Sequence, residues 1–112
     1  MVRLTIDLSA SPRTADRLVA ALRALILSTR GVTGCVDCGV WTAAEDANES
    51  VVHYQERWSN EPSMEARVRS DAFTKLLEVV EGARVAPRVE FDFVEKRLGL
   101  EYVEAVRGAR KC

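Results

Sequence analysis

This chain is short of the residues that most often carry chemistry. Its 112 residues include one histidine, three cysteines and three prolines. No Gly-rich phosphate loop occurs, which removes nucleotide and flavin phosphate cradles. No charge sign dominates: sixteen basic residues are interleaved with seventeen acidic ones, for a formal net charge of −1. Without a Lys/Arg stripe interleaved with aromatics, nucleic acid is not expected as a partner. The longest apolar run, Leu18 to Leu27, is broken by Arg23 and is too short to span a bilayer, so no membrane partner is expected. Polar Arg3, Thr5 and Asp7 near the start do not read as a signal peptide, and a cytoplasmic location is the default.

The odd cysteine count argues against a disulfide framework. Cys35-Val36-Asp37-Cys38 matches C-x-x-C, but a zinc site needs four ligands and only His53 and Cys112 remain to complete one. A redox dithiol usually sits where a strand feeds a helix. Here the pair leads into Gly39-Val40-Trp41-Thr42, which reads as a strand, where residues three apart point to opposite faces. Packing at a strand start, with a free thiol, is the plainer reading.

What is present is an ordinary globular composition, 47% apolar and 29% charged, at the size of one domain over residues 1–112. Val2, Leu4, Ile6 and Leu8 alternate with polar residues as a half-buried strand. Ser11-Pro12 opens a helix whose stripe is Ala15, Leu18, Val19, Leu22, Leu25 and Ile26, with Gly31 as a left-handed stop. Strands are predicted from Cys35 to Ala43 and from Val51 to Trp58, joined by a polar hairpin connection. Ser59 or Asn60 caps the next helix, which looks split, with Ser70-Asp71 able to cap a fresh segment before Phe73, Leu76, Leu77 and Val80. Gly82 and Pro87 end it. Arg88 to Phe93 alternates as a fourth strand, Gly99 marks a bend or bulge, and Leu100 to Val106 reads as a last strand before a frayed tail over about 108–112. The fold class is α+β: a ferredoxin-like antiparallel sheet with helices on one face.

The most distinctive stretch is Tyr54-Gln55-Glu56-Arg57-Trp58, then Met64-Glu65-Ala66-Arg67, then Ser70-Asp71-Ala72-Phe73. This x-E-x-W pattern followed by E-A-x-x-x-S-x-x-F resembles the antibiotic biosynthesis monooxygenase family. The resemblance implies a dimeric α+β barrel and a cofactor-independent monooxygenase acting on an electron-rich phenol, quinol or anthrone-type aromatic. The alternative it leaves open is a non-catalytic dimeric ligand-binding or structural module of the same fold. Haem-degrading relatives use a helix histidine where this chain has Arg67, which stays protonated and cannot ligate iron. The cofactor expectation is therefore none: no metal, haem or flavin.

On the third strand Val52, Tyr54, Glu56 and Trp58 share one face, while Val51, His53, Gln55 and Arg57 share the other. Tyr54, Trp58 and Phe73 are the candidate substrate-binding residues, for a small aromatic molecule. Arg67, Glu56 and His53 are the candidate catalytic residues, as cation, ion-pair partner and general base. Tyr54 and Trp58 read equally well as core aromatics. Val89, Phe91 and Phe93 fill one face of the fourth strand, and one helical layer covers only one face of a sheet. A homodimer packed sheet to sheet is the expectation.

Overall fold

A computed structural model describes residues 1–82, 86–96 and 98–109. In order the elements are β1 (Val2–Ala10), α1 (Pro12–Arg30), β2 (Cys35–Ala44), β3 (Ser50–Trp58), α2 (Glu61–Arg69), α3 (Asp71–Glu81), β4 (Arg88–Phe93) and α4 (Leu100–Ala109). The strands form one antiparallel sheet in the order β2-β3-β1-β4. This is the expected ferredoxin-like α+β fold.

Alternation does most of the construction. Val2, Leu4, Ile6 and Leu8 on β1 and Val52, Tyr54, Glu56 and Trp58 on β3 are all buried beneath the helices. The Ser11 side chain accepts a hydrogen bond from the Thr14 N–H at 3.3 Å, with Pro12 following it, so α1 begins where the sequence placed it. Its buried stripe is Ala15, Leu18, Val19, Leu22, Ile26 and Thr29. Asn60 caps α2, and Ser70 leaves helical geometry (φ −77°, ψ 154°) to cap α3. The split helix is therefore real, and Ser70 makes it.

Four expectations are corrected. Gly31 is right-handed (φ −81°), and the left-handed residue is Gly34 at φ 92°. A Cβ on Gly34 would also run into the Ser63 side chain, because the α1–β2 loop passes close over the start of α2. Gly34→Ala should therefore cost about 1–3 kcal/mol from backbone strain alone, read as a lower urea midpoint. Adding Ser63→Gly should recover the steric part and leave the strain.

The second correction concerns the cysteines. An irregularity between Cys35 and Asp37 inserts one extra residue in β2, so Cys35 faces Trp58 and Cys38 faces Glu56 across the ladder. Both cysteines thus lie on the helix-covered side instead of on opposite faces.

The third concerns β4. Its register pairs Phe93 with Val2, Phe91 with Leu4 and Val89 with Ile6, so the three apolar residues sit on the helix side. They nevertheless stay 59%, 39% and 43% exposed, because α1 lies over β2 and β3 and the helix layer stops short of this edge. The opposite, open face of the sheet is polar. It carries cross-strand pairs Arg3–Asp92 at 3.2 Å, His53–Asp7 at 2.7 Å, and Arg57–Asp37.

The fourth is the last element. Leu100 to Val106 is helical, not a strand. Strand alternation is absent there, and Glu, Ala and Arg favour the helix. The Glu101 carboxylate reaches back to accept the Gly99 N–H at 2.8 Å, satisfying a donor at the helix start. Gly99 opens this helix instead of bending a strand. The expected tail from 108 overlaps α4, and Cys112 lies outside the described residues.

Candidate functional site

The x-E-x-W pattern places Glu56 at the centre of the protein, where it is fully buried between Tyr54 and Trp58. A lone carboxylate there would be prohibitively costly, so its environment has to supply donors. It does so four times. Tyr54 donates its hydroxyl to Oε2 at 2.6 Å and Trp58 donates Nε1–H to Oε1 at 2.9 Å. From α2, Arg67 donates through Nε to Oε1 at 3.0 Å and through a terminal nitrogen to Oε2 at 2.9 Å. This is a bidentate fork on a carboxylate, the strong form of the pair.

The network extends outward. Arg67 also reaches the Thr29 hydroxyl of α1 at 3.4 Å, and its guanidinium carbon lies 5.5 Å from the Phe73 ring centre, a cation–π arrangement. Cys38 donates its thiol to the Tyr54 oxygen at 3.3 Å. Among the described residues no buried side-chain polar atom is left without a partner.

Titration follows from burial. Desolvation first, then the Glu56 charge, raises the Tyr54 pKa far above the usual phenol range. Desolvation likewise pushes the Cys38 thiol up to about 11, and the Cys35 thiol upward too. Burial works against the Arg67 charge, but Glu56 more than offsets it and the guanidinium pKa is raised.

Both Tyr54 and Cys38 hold their protons more tightly folded than unfolded. Their contribution to stability is therefore complete below about pH 9 and is lost as pH rises through the folded values. The melting temperature should hold from pH 7 to about 9 and fall above it. A Tyr54→Phe/Cys38→Ala variant should show a lower plateau and a shallower alkaline slope, by scanning calorimetry at each pH.

The structure brings Tyr54, Glu56, Trp58, Arg67 and Phe73 together as one cluster. Tyr54, Glu56 and Trp58 are completely enclosed, and Phe73 is nearly so. Arg67 alone of the cluster also forms a wall of an open cleft of about 360 Å³, bounded by Val32 and Thr33 of the α1–β2 loop and by Pro62, Ser63, Ala66, Ser70 and Ala72. His53 is apart from all of these, on the open face. Its Nδ1 is 2.7 Å from Asp7, and its ring stacks on Trp41 at 5.7 Å between centres. Sequence reasoning did not join Thr29 or Cys38 to the buried network, nor His53 to Trp41 and Asp7. Strand parity alone pairs no residues across strands, and the β2 bulge hides the side that Cys38 faces. Among the described residues no three His, Cys, Asp or Glu converge to hold a metal ion, and no helix is long and apolar enough to cross a membrane.

A ferredoxin-like antiparallel sheet with a buried x-E-x-W strand answering to the following helix defines a small α+β protein built around a Glu56–Arg67 pair. The family model described as antibiotic biosynthesis monooxygenase matches residues 1–79, and the chain belongs to that family. The match ends before β4 and α4.

Solved structures agree on the fold. A protein of Deinococcus radiodurans assigned to the antibiotic biosynthesis monooxygenases superposes with a TM-score of 0.72 at 19% identity, over 88% of this chain and 97% of that one. Rv0793 of Mycobacterium tuberculosis gives 0.64 at 19%, over 88% and 98%. The ActVA-Orf6 monooxygenase of Streptomyces coelicolor, solved with the ligand nanaomycin D, gives 0.60 at 18%, over 88% and 90%. Among curated proteins no sequence matches.

Proposed function

We propose that this protein is a cofactor-independent monooxygenase, acting as a homodimer in the cytoplasm on an electron-rich phenol, quinol or anthrone-type aromatic. The observation that carries this reading is Arg67, which lines an open cleft as a residue while its guanidinium, with the side chain 2% exposed, stands behind the cleft wall in the buried cluster. A phenolic substrate bound in that cleft would be held as its anion beside the guanidinium, and the anion is the form that reduces dioxygen directly. Glu56 has two donors on each oxygen, so its part is to hold Arg67 and not to take the substrate proton. His53 has an orienting carboxylate, as a general base requires, but would act only on a substrate reaching the open face.

A second reading is favoured by the completeness of the interior. Tyr54, Glu56 and Trp58 are fully enclosed with their polar atoms paired, as a binding or structural module of this fold needs and an open active site does not. Oxygen uptake measured over a panel of hydroquinones and anthrones separates the two. Consumption that Arg67→Lys weakens, in a variant that still folds, supports the oxygenase. Saturable binding of the same compounds with no uptake supports the module.

A further inference from the structure

The guanidinium of Arg67 stands behind the wall of the 360 Å³ cleft, so an anion in the cleft would feel its charge without touching it. Contact has to come from other donors, and most of those in the cleft are committed. Ser70 donates its hydroxyl to the Arg67 carbonyl at 2.6 Å and accepts the Phe73 N–H at 3.2 Å. The Ser63 N–H is taken by the Asn60 side chain at 2.9 Å. Two hydroxyls remain, those of Ser63 and Thr33. Among the described residues neither has a hydrogen-bond partner.

Both hydroxyls are held in place by the approach of the α1–β2 loop to α2. Cys35 donates its N–H to the Val32 carbonyl at 3.1 Å, closing a turn with Thr33 and Gly34 at its centre. Gly34, at φ 92°, is the left-handed residue that such a turn needs there. Its carbonyl accepts the Ser59 N–H at 2.9 Å, which ties the turn to the chain just ahead of α2. Because Gly34 has no Cβ, the Ser63 side chain packs directly over it. Ser63 lies four residues before Arg67 on the same side of α2, about 6 Å along the helix axis. An oxygen held there is within reach of the guanidinium's field.

We infer that Ser63 and Thr33 are the substrate-binding donors of the cleft. Their hydroxyls hold the ionised oxygen of a phenol, Arg67 supplies the positive field behind it, and Val32, Pro62, Ala66 and Ala72 receive the ring. The two hydroxyls then set specificity, because a hydrogen bond to a charged oxygen is much stronger than one to a neutral ether. The inference rests on the cleft being the substrate site, as proposed above, but not on oxygenation.

The test measures binding of β-naphthol and of its methyl ether to the full chain, with dioxygen excluded. The absorption band of the naphtholate reports whether the bound probe is ionised. The unmodified protein should prefer the naphthol, and bound naphthol should ionise at lower pH than free naphthol. A Ser63→Ala/Thr33→Val variant should lose roughly ten- to a hundredfold in naphthol affinity, the worth of a hydrogen bond to a charged group. Its ether affinity should not change, and most of the pH displacement should vanish. Thr33 is exposed and Ser63 half-buried, so the variant should fold. A variant that binds naphthol as tightly as the unmodified protein, or that weakens both probes equally, overturns the inference and leaves the cleft reading standing. Ala66→Trp, which fills the cleft, checks that reading separately. Naphthol binding that survives Ala66→Trp puts the probe elsewhere and removes both, as does an unmodified protein that binds neither probe.

Discussion

Arg67→Met should destabilise the protein by about 3–5 kcal/mol, the usual result of removing one partner from a buried ion pair. The side chains are 2% and 0% exposed, so water cannot replace the guanidinium beside Glu56. What remains is a carboxylate held by Tyr54 and Trp58 alone. Adding Glu56→Gln should recover a large part of the loss, because the stranded charge goes with it. Urea unfolding of both single variants and the double variant gives the coupling directly. Additive losses would mean that the pair is not the organising contact it looks to be.

Trp58→Ala should cost about 3–5 kcal/mol as well, by a different route: a large cavity beneath α2 and α3 and the loss of one donor to Glu56. Trp58→Phe separates these contributions. It keeps most of the apolar contact but removes the indole N–H, so a loss near 1–3 kcal/mol is expected for the unpaired acceptor. Calorimetry measures both. Aromatic ligand binding followed alongside shows whether Trp58 also serves a substrate: Trp58→Phe should then weaken binding while the fold persists.

Much of this was legible in the residues, and the illegible parts share a cause. The limits of β4 follow from strict alternation of Val89, Phe91 and Phe93 with Arg88, Glu90 and Asp92. The split between α2 and α3 follows from Ser70-Asp71, because a serine that can cap a helix is a local property. The Glu56–Arg67 pairing was readable too, since strand parity turned the carboxylate inward. What was not readable depends on counting across strands. One extra residue near Val36 decides which side Cys35 presents, and no local pattern announces it. The reach of the helix layer decides whether Phe91 and Phe93 are covered. At α4, a short apolar-rich segment with no partner strand carries both helical and strand signals, and the absence of a neighbour to pair with let helix propensity win.

Because His53 is the only imidazole in the chain, its ring protons give one pair of proton resonances free of overlap from any other histidine. They sit on the open sheet face, beside Asp7 and against the indole of Trp41, whose ring current displaces them from free histidine values. The molecule thus contains its own spectroscopic reporter for that face. On the proposed homodimer, if its sheets face one another, dilution that separates the copies should move this signal, and a ligand confined to the Arg67 cleft should leave it where it is.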